Sequence, residues 1–182
     1  MAQFNGKRPE NLKGTIKSLL SYMGRHKFLL AIVAVLVTFS AMANLLGTYM
    51  LKPIVNHYIV PGDLKGLIVG VAITAVIYLV GVLSAFGYTQ TMVKAAQKII
   101  YDIRRDMFHK MQDLPLEYYD SHTHGDTMSR FTNDVDTISD ALNNSFAMVI
   151  QSFIQIVGTL TLLFVLNWQL SFLVVLGYIA MF

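Results

Sequence analysis

Three stretches without a single Asp, Glu, Lys or Arg constrain this chain more than any motif: 28–51, 66–93 and 141–182. A helix needs roughly 20 apolar residues to cross the hydrocarbon core of a bilayer. The first two runs each suit one crossing. The third is long enough for two, and "LNWQLS" (166–171) supplies a polar break with an interfacial tryptophan, Trp168, between them. To hide such runs inside a soluble protein, other chain would have to cover them on every side. With 54% hydrophobic and 14% charged residues, a chain of 182 residues is also too apolar for an ordinary soluble domain. The expected class is all-α: a polytopic membrane helical bundle with spans at about 28–51, 66–93, 144–166 and 170–182. The last of these is too short to cross untilted, so the chain is expected to stop inside a fourth span.

The basic residues orient the bundle. Lys7, Arg8, Lys13, Lys17, Arg25 and Lys27 precede the first run, and Lys94, Lys98, Arg104, Arg105, Lys110 and Arg130 separate the second from the third. Only Lys52 and Lys65 lie between the first two runs. Positive charge gathers on the cytoplasmic side, which places the N-terminus and the segment after residue 93 there. The net charge of +3 is accounted for by these juxtamembrane residues and calls for no nucleic acid. Cysteine is absent, so neither disulfides nor thiolate metal ligands arise. Arg25, Lys27 and the later "SAMA" (40–43) imitate a secretory signal. The polar lead, however, extends all the way from Met1 to Lys27 and the apolar run continues to Leu51, which favours a retained helix.

Between the runs the pattern becomes amphipathic. Residues 1–27 form a cytoplasmic tail in which Leu12, Ile16, Leu19, Leu20 and Met23 share one helical face opposite Lys13 and Lys17. That suits a helix lying in the membrane interface, with a disordered basic tail as the other reading. Pro53, Pro61 and Pro61-Gly62-Asp63 are expected to end the first span and start the second. Past Val93, Ala96, Ile100, Ile103, Met107, Met111 and Leu114 carry an apolar stripe into charged surroundings. Met128, Phe131, Val135, Ile138 and Leu142 return in steps of three and four. The cytoplasmic loop, about 94–143, therefore reads as an antiparallel pair of helices extended from the spans. Residues 94–140 hold 15 of the 25 charged side chains, as a polar surface around one apolar seam requires.

The turning point is "LPLEYYDSHTHGDTMSRFTNDVDTI" (114–138). Pro115 disfavours helix at Asp113-Leu114, so the long helix should stop there and a short one begin at Leu116. Gly125 is expected to supply the turn, with Asp126 or Thr123 capping the returning helix, on which Asp126, Arg130 and Asp134 could form an ion-pair ladder. His122 and His124, two apart, admit a metal or an exposed polar link; with no Cys and only helix-end acids nearby, no metal is assigned.

This stretch resembles the first intracellular loop of ATP-binding cassette (ABC) exporters of the multidrug or lipid type. Leu114-Pro115, Tyr118-Tyr119-Asp120, Gly125-Asp126, Ser129-Arg130 and Asn133-Asp134-Val135 match its pattern, and "LKPIVNHYIVPGD" and "NWQLS" resemble two further turns of the family. His122-Thr-His124 departs from it, where basic residues are common. The resemblance implies that residues 116–124, namely Leu116, Glu117, Tyr118, Tyr119, Asp120, Ser121, His122, Thr123 and His124, form a coupling helix docked on a nucleotide-binding domain. It also implies a second half-transporter, as homo- or heterodimer, and a bacterial plasma membrane. No phosphate-binding loop G-x-x-x-x-G-K-[ST] occurs in these residues, so ATP and Mg would belong to a domain downstream or on a partner, and this chain carries no cofactor of its own. Asn44, Thr48, Tyr78, Tyr88, Gln151, Gln155 and Thr159 are the candidates for a substrate cavity, because polar groups in hydrocarbon face the bundle or a wet space; helix-to-helix packing is their other reading. An uncharged amphipathic lining suits a drug, lipid or hydrophobic peptide. The alternative from another class is a multi-span receptor signalling through the cytoplasmic hairpin.

Overall fold

The computed structural model describes residues 12–121, 123–169, 171, 172, 174 and 177. The described elements are helical: α1 (Leu12–Arg25), α2 (Lys27–Ile54), α3 (Leu64–Gln112), α4 (Leu116–Ser121), α5 (His124–Ser129) and α6 (Val135–Leu166), with single π turns at Val55–Ile59 and Arg130–Asp134. Three continuous helical stretches are long and apolar enough to cross a membrane: Lys27–Ile59, Leu64–Gln112 and Gly125–Leu166. The expected tail at 1–11 and most of the expected fourth span lie outside the described residues.

α2 and α3 run antiparallel with small residues at the crossing. Tyr78 lies over Gly47, Ala43 faces Gly81, and Leu36 faces Gly87, so one number falls as the other rises. Residues without bulk let helix backbones approach where lipid offers no hydrophobic drive for association. α6 joins this pair with Gly158 against the Leu45 side chain. The tightest packing lies lower, where Leu30, Val33 and Val37 meet Met92, Ala95, Ala96, Ile99, Ile100 and Ile103, closed by Val135, Leu142 and Ala147. Leu19, Tyr22 and Met23 of α1 pack against the same cluster.

The stripe that continues past Val93 is thus the one that becomes buried. Its counterpart closes less completely: Val135 and Leu142 are buried and Ile138 packs on the core, but Met128 near the tip is 65% exposed. α3 spans 49 residues, about 74 Å at about 1.5 Å per residue, against roughly 30 Å of hydrocarbon. More than half of it stands clear of the apolar layer.

Two turns differ from expectation. Pro53 does not end the first span; it sits inside α2, and the helix continues to Ile59. Proline lacks the N–H that the preceding turn would accept, and the chain answers by widening: Val60 N–H donates to Val55 O, five residues back, at 3.0 Å. The reversal itself is made at Gly62, whose φ of +77° suits a residue without Cβ. Asp63 then caps α3, its Oδ1 accepting from Lys65 N and Gly66 N at 3.1 Å each. At the far end α6 stops at Leu166, and Asn167 turns the chain with its Oδ1 accepting from Gln169 N.

Candidate functional site

At the tip where α3 ends, the helix-breaking chemistry of proline is visible in the backbone. α3 ends at Gln112, Leu114 N–H donates to Met111 O, and Tyr118 N–H donates to Pro115 O to open α4. α4 has six residues, Leu116–Ser121. It is strapped to α3 by Tyr119, whose hydroxyl donates to Met111 O at 2.6 Å. The Tyr118 and Tyr119 rings meet edge to face with centroids 5.8 Å apart. Such pairs hold a fixed mutual orientation. Tyr119 is therefore half structural, while Glu117 and Pro115 are exposed and Tyr118 is half-buried. The backbones of Leu116, Asp120, Ser121 and His124 are placed in helix; their side chains, and His122 altogether, lie outside the described residues.

The return is not made by Gly125. That residue sits within the first turn of α5 without positive φ, and a Cβ there would meet nothing within 4 Å. Thr123 makes it in extended conformation (φ −71°, ψ 145°), its Oγ1 accepting from Asp126 N. Asp126 is thus the capped residue rather than the cap. Nor do Asp126, Arg130 and Asp134 pair among the described ion pairs. The π turn at Arg130–Asp134 inserts a five-residue step where the ladder needs four.

A polar cluster not foreseen from the sequence joins the end of α1 to the charged part of α3. Arg25 Nη1 lies 3.2 Å from Asp106 Oδ2, and His26 Nε2 lies 3.1 Å from Asp102 Oδ2. Arg105 reaches Asp106 at 3.2 Å, and the Arg25 guanidinium stands 4.9 Å from the centre of the Tyr22 ring. Burial works to raise the Asp106 carboxyl, but hydrogen bonds from Arg105, Tyr22 and Arg25 outweigh it and hold the group below its ordinary range. Burial, then the Asp106 hydrogen bond, pushes the Tyr22 hydroxyl up. The local sequence signal was two acids one turn apart, Asp102 and Asp106, within a basic stretch. What it lacked was any sign that α1 folds back onto them. Farther along, Arg104 of α3 bridges Asp136 of α6 at 2.7 Å.

The cavity candidates separate into groups. Asn44 and Tyr78 come together beside Ser40, Ala43, Gly81, Val82 and Ala85 around a cleft of about 100 Å³. Asn44 Nδ2 donates to Ser40 O, and Thr48 Oγ1 donates to Asn44 O, so both also satisfy their own helix. Tyr88 packs against the core instead. On α6, Gln155 Nε2 donates to Thr159 Oγ1 at 3.4 Å, one turn from the half-buried Gln151. The α6 trio does not line the Asn44–Tyr78 cleft.

Comparison with known proteins accords with this architecture. Residues 30–182 match the family model for the ABC transporter transmembrane region. The chain is 31% identical over 156 residues to the uncharacterized ABC transporter ATP-binding protein YfiC of Bacillus subtilis (strain 168), covering 86% of this chain and 26% of that protein. It is 30% identical over 137 residues to an ATP-dependent lipid A-core flippase of Francisella novicida (71% and 23% of the two chains). A protein of the same name from Alcanivorax borkumensis is 30% identical over 171 residues (92% and 28%). The chain thus spans about a quarter of the length of the relatives it matches. Long apolar helices drawn out into a charged hairpin, together with this match over most of the sequence, place the chain in the ABC transporter transmembrane region family.

Proposed function

We propose that this chain is the leading part of an exporter's membrane domain and that its 114–125 tip receives the push of a nucleotide-binding domain. One observation carries the reading: a six-residue helix that follows the end of a rod of 49 residues after a proline break and is strapped back to it by Tyr119. A short rigid element at the end of a long stiff one transmits displacement, which an unstructured loop would absorb. Tyr118 and Glu117 offer the apolar area and polar edge that a partner surface takes up. ATP and Mg would be bound by that domain, and a second half-transporter would complete the bundle. The relatives named as lipid A-core flippases support an amphipathic lipid as cargo, in keeping with three crossing segments whose central runs carry no charge.

The test uses the full-length gene product in vesicles. Replacing both Tyr118→Ala and Tyr119→Ala should leave ATP hydrolysis running while lipid translocation falls to background. Translocation at the parental rate in that variant would sink the assignment.

A further inference from the structure

The two π turns have different origins. The one at Val55–Ile59 follows Pro53, which cannot supply the N–H of an ordinary turn. The one at Arg130–Asp134 follows no such break, since Pro115 is the last proline in the sequence. None of its five residues bars an α-helix. We propose that this turn is a register joint with two settings, π and α, and that the tip works it. The tip's part rests on the function proposed above; the two settings do not.

Two sequence patterns fit the α setting. In an uninterrupted helix, at about 100° per residue, Met128, Phe131, Val135, Ile138 and Leu142 would lie within an arc of about 80°. In that same helix Asp126, Arg130 and Asp134 would stand one turn apart, with opposite charges in alternation. The π turn holds one extra residue, which displaces everything before it by about 100°. Thr127 takes the phase of Met128: it is half-buried, whereas Met128 is 65% exposed. Neither Asp126 nor Asp134 pairs with Arg130 among the described ion pairs. The facing stripe on α3 nevertheless continues to this level. Met111 is half-buried, and it and Met128 lie at matching distances from the Arg104–Asp136 bridge, seven and eight residues on.

The chain itself links the joint to the tip. α5 is six residues long, fixed at one end by the Thr123 cap that follows α4 and at the other by the π turn. Closing the joint would turn α5 by about 100° and shift it about 1.5 Å along the axis of α6. Met128 would come into line with the seam that faces α3, the ion ladder would form, and the buried contacts of Val135 and Leu142 would stay as they are. Packed helices step between discrete settings of this kind rather than deform continuously.

The experiment places a nitroxide at Thr127→Cys or at Met128→Cys in a full-length protein otherwise free of cysteine, held in phospholipid nanodiscs. Without nucleotide the label at position 127 should be the less mobile. Trapping with ATP, magnesium and vanadate should reverse the order. Deleting Thr132 removes the extra residue and should reverse it without nucleotide. Three results would each overturn the proposal: a label at position 128 already the less mobile in the resting parent, an order that trapping leaves unchanged in a protein that hydrolyses ATP, or a folded deletion variant that keeps the parental order. If the deletion variant does not fold, Arg130→Glu decides. It sets three acids where the ladder alternates, so two pairs change from attraction to repulsion. The share of reversed protein after trapping should fall by about 4- to 30-fold; an unchanged share would overturn the proposal. The deletion is read without ATP, so the two settings stand or fall apart from the tyrosine test at the tip.

Discussion

The crossing of α2 and α3 at Gly81 can be tested as a contact between two atoms. A Cβ added at Gly81 would lie 2.9 Å from the Ala43 Cβ, where ordinary contact begins at 3.4 Å, and Ser40 O stands behind it at 3.9 Å. The backbones would have to part until ordinary contact is restored. Neither partner can swing away, since both are methyl groups fixed to helix backbone and Ala43 is only 6% exposed. At Gly47 and Gly158, by contrast, the obstructing atoms belong to the Tyr78 ring and the Leu45 terminus, which can rotate.

Gly81→Ala should gain about 0.8–1 kcal/mol of helix propensity and lose about 1–3 kcal/mol to overpacking, a net loss of about 0–2 kcal/mol. Ala43→Gly should lose that propensity and a further ~0.8 kcal/mol for the buried methyl. The double variant carries the methyl across the interface, so propensity cancels, the contact is refilled and the clash is gone. It should melt close to the parent, giving a coupling of about 1.6–4 kcal/mol, or about 3–16 °C in a domain of this size. Thermal unfolding of the four proteins in detergent, followed by circular dichroism, measures it. A coupling below about 0.5 kcal/mol would show the two residues to be independent and the crossing wrongly drawn.

Further outcomes concern the tip and the α1 cluster. Tyr119→Phe removes the strap to Met111 O, at a cost of about 0.5–1.5 kcal/mol, and should speed amide exchange across α4 by about 2- to 12-fold; unchanged exchange would show the strap to be idle. Thr123→Ala should destabilise the return by about 1 kcal/mol through loss of its cap, whereas Gly125→Ala should be neutral or stabilising by up to about 1 kcal/mol. The opposite order, read by exchange at Asp126 and Thr127, would restore the turn to the glycine. The Asp106 carboxyl is held below its ordinary range, so its contribution to α1 docking is complete at neutral pH and is lost as pH falls below about 4. A spin label at Ser18 should gain mobility over that range in the parent and be mobile throughout in Asp106→Asn; equal mobility of the two proteins at pH 7 would refute the anchor.

What was legible in the sequence is what short-range chemistry decides. Uncharged runs marked the three crossing helices because a charge at membrane depth costs several kcal/mol wherever the chain goes. Pro115 marked the stop of α3, and the stripe at Ala96, Ile100 and Ile103 marked the buried face. Misread positions are those where backbone geometry rather than residue type decides. Pro53 is absorbed by a π turn, Gly125 is an ordinary helical residue, and one inserted residue at Arg130–Asp134 dissolves an ion ladder that spacing alone suggested. The α1 cluster was hidden for a different reason. Arg25 and Asp106 are 81 residues apart, and no local pattern reports a contact made by folding back.

These features together divide the hairpin into unequal limbs. α3 runs unbroken for 49 residues, while the return is interrupted by the Thr123 turn and again by the π turn at Arg130–Asp134. The apolar seam is closed at Ile99–Ile103 and Val135–Leu142 and open at Met128. Under the proposed coupling, a push on α4 enters α3 directly through Tyr119 and travels along a continuous hydrogen-bonded rod. The second limb, loosely packed near the tip, can adjust its register at the π turn without tearing the buried seam. α1 is fastened by Arg25 and His26 to the stiff limb, and between it and α6 lies an open groove lined by Leu19 and Met23 on one side and by Ser145 and apolar side chains of α6 on the other. It would therefore travel with α3, and the width of the groove would change with the angle between the limbs.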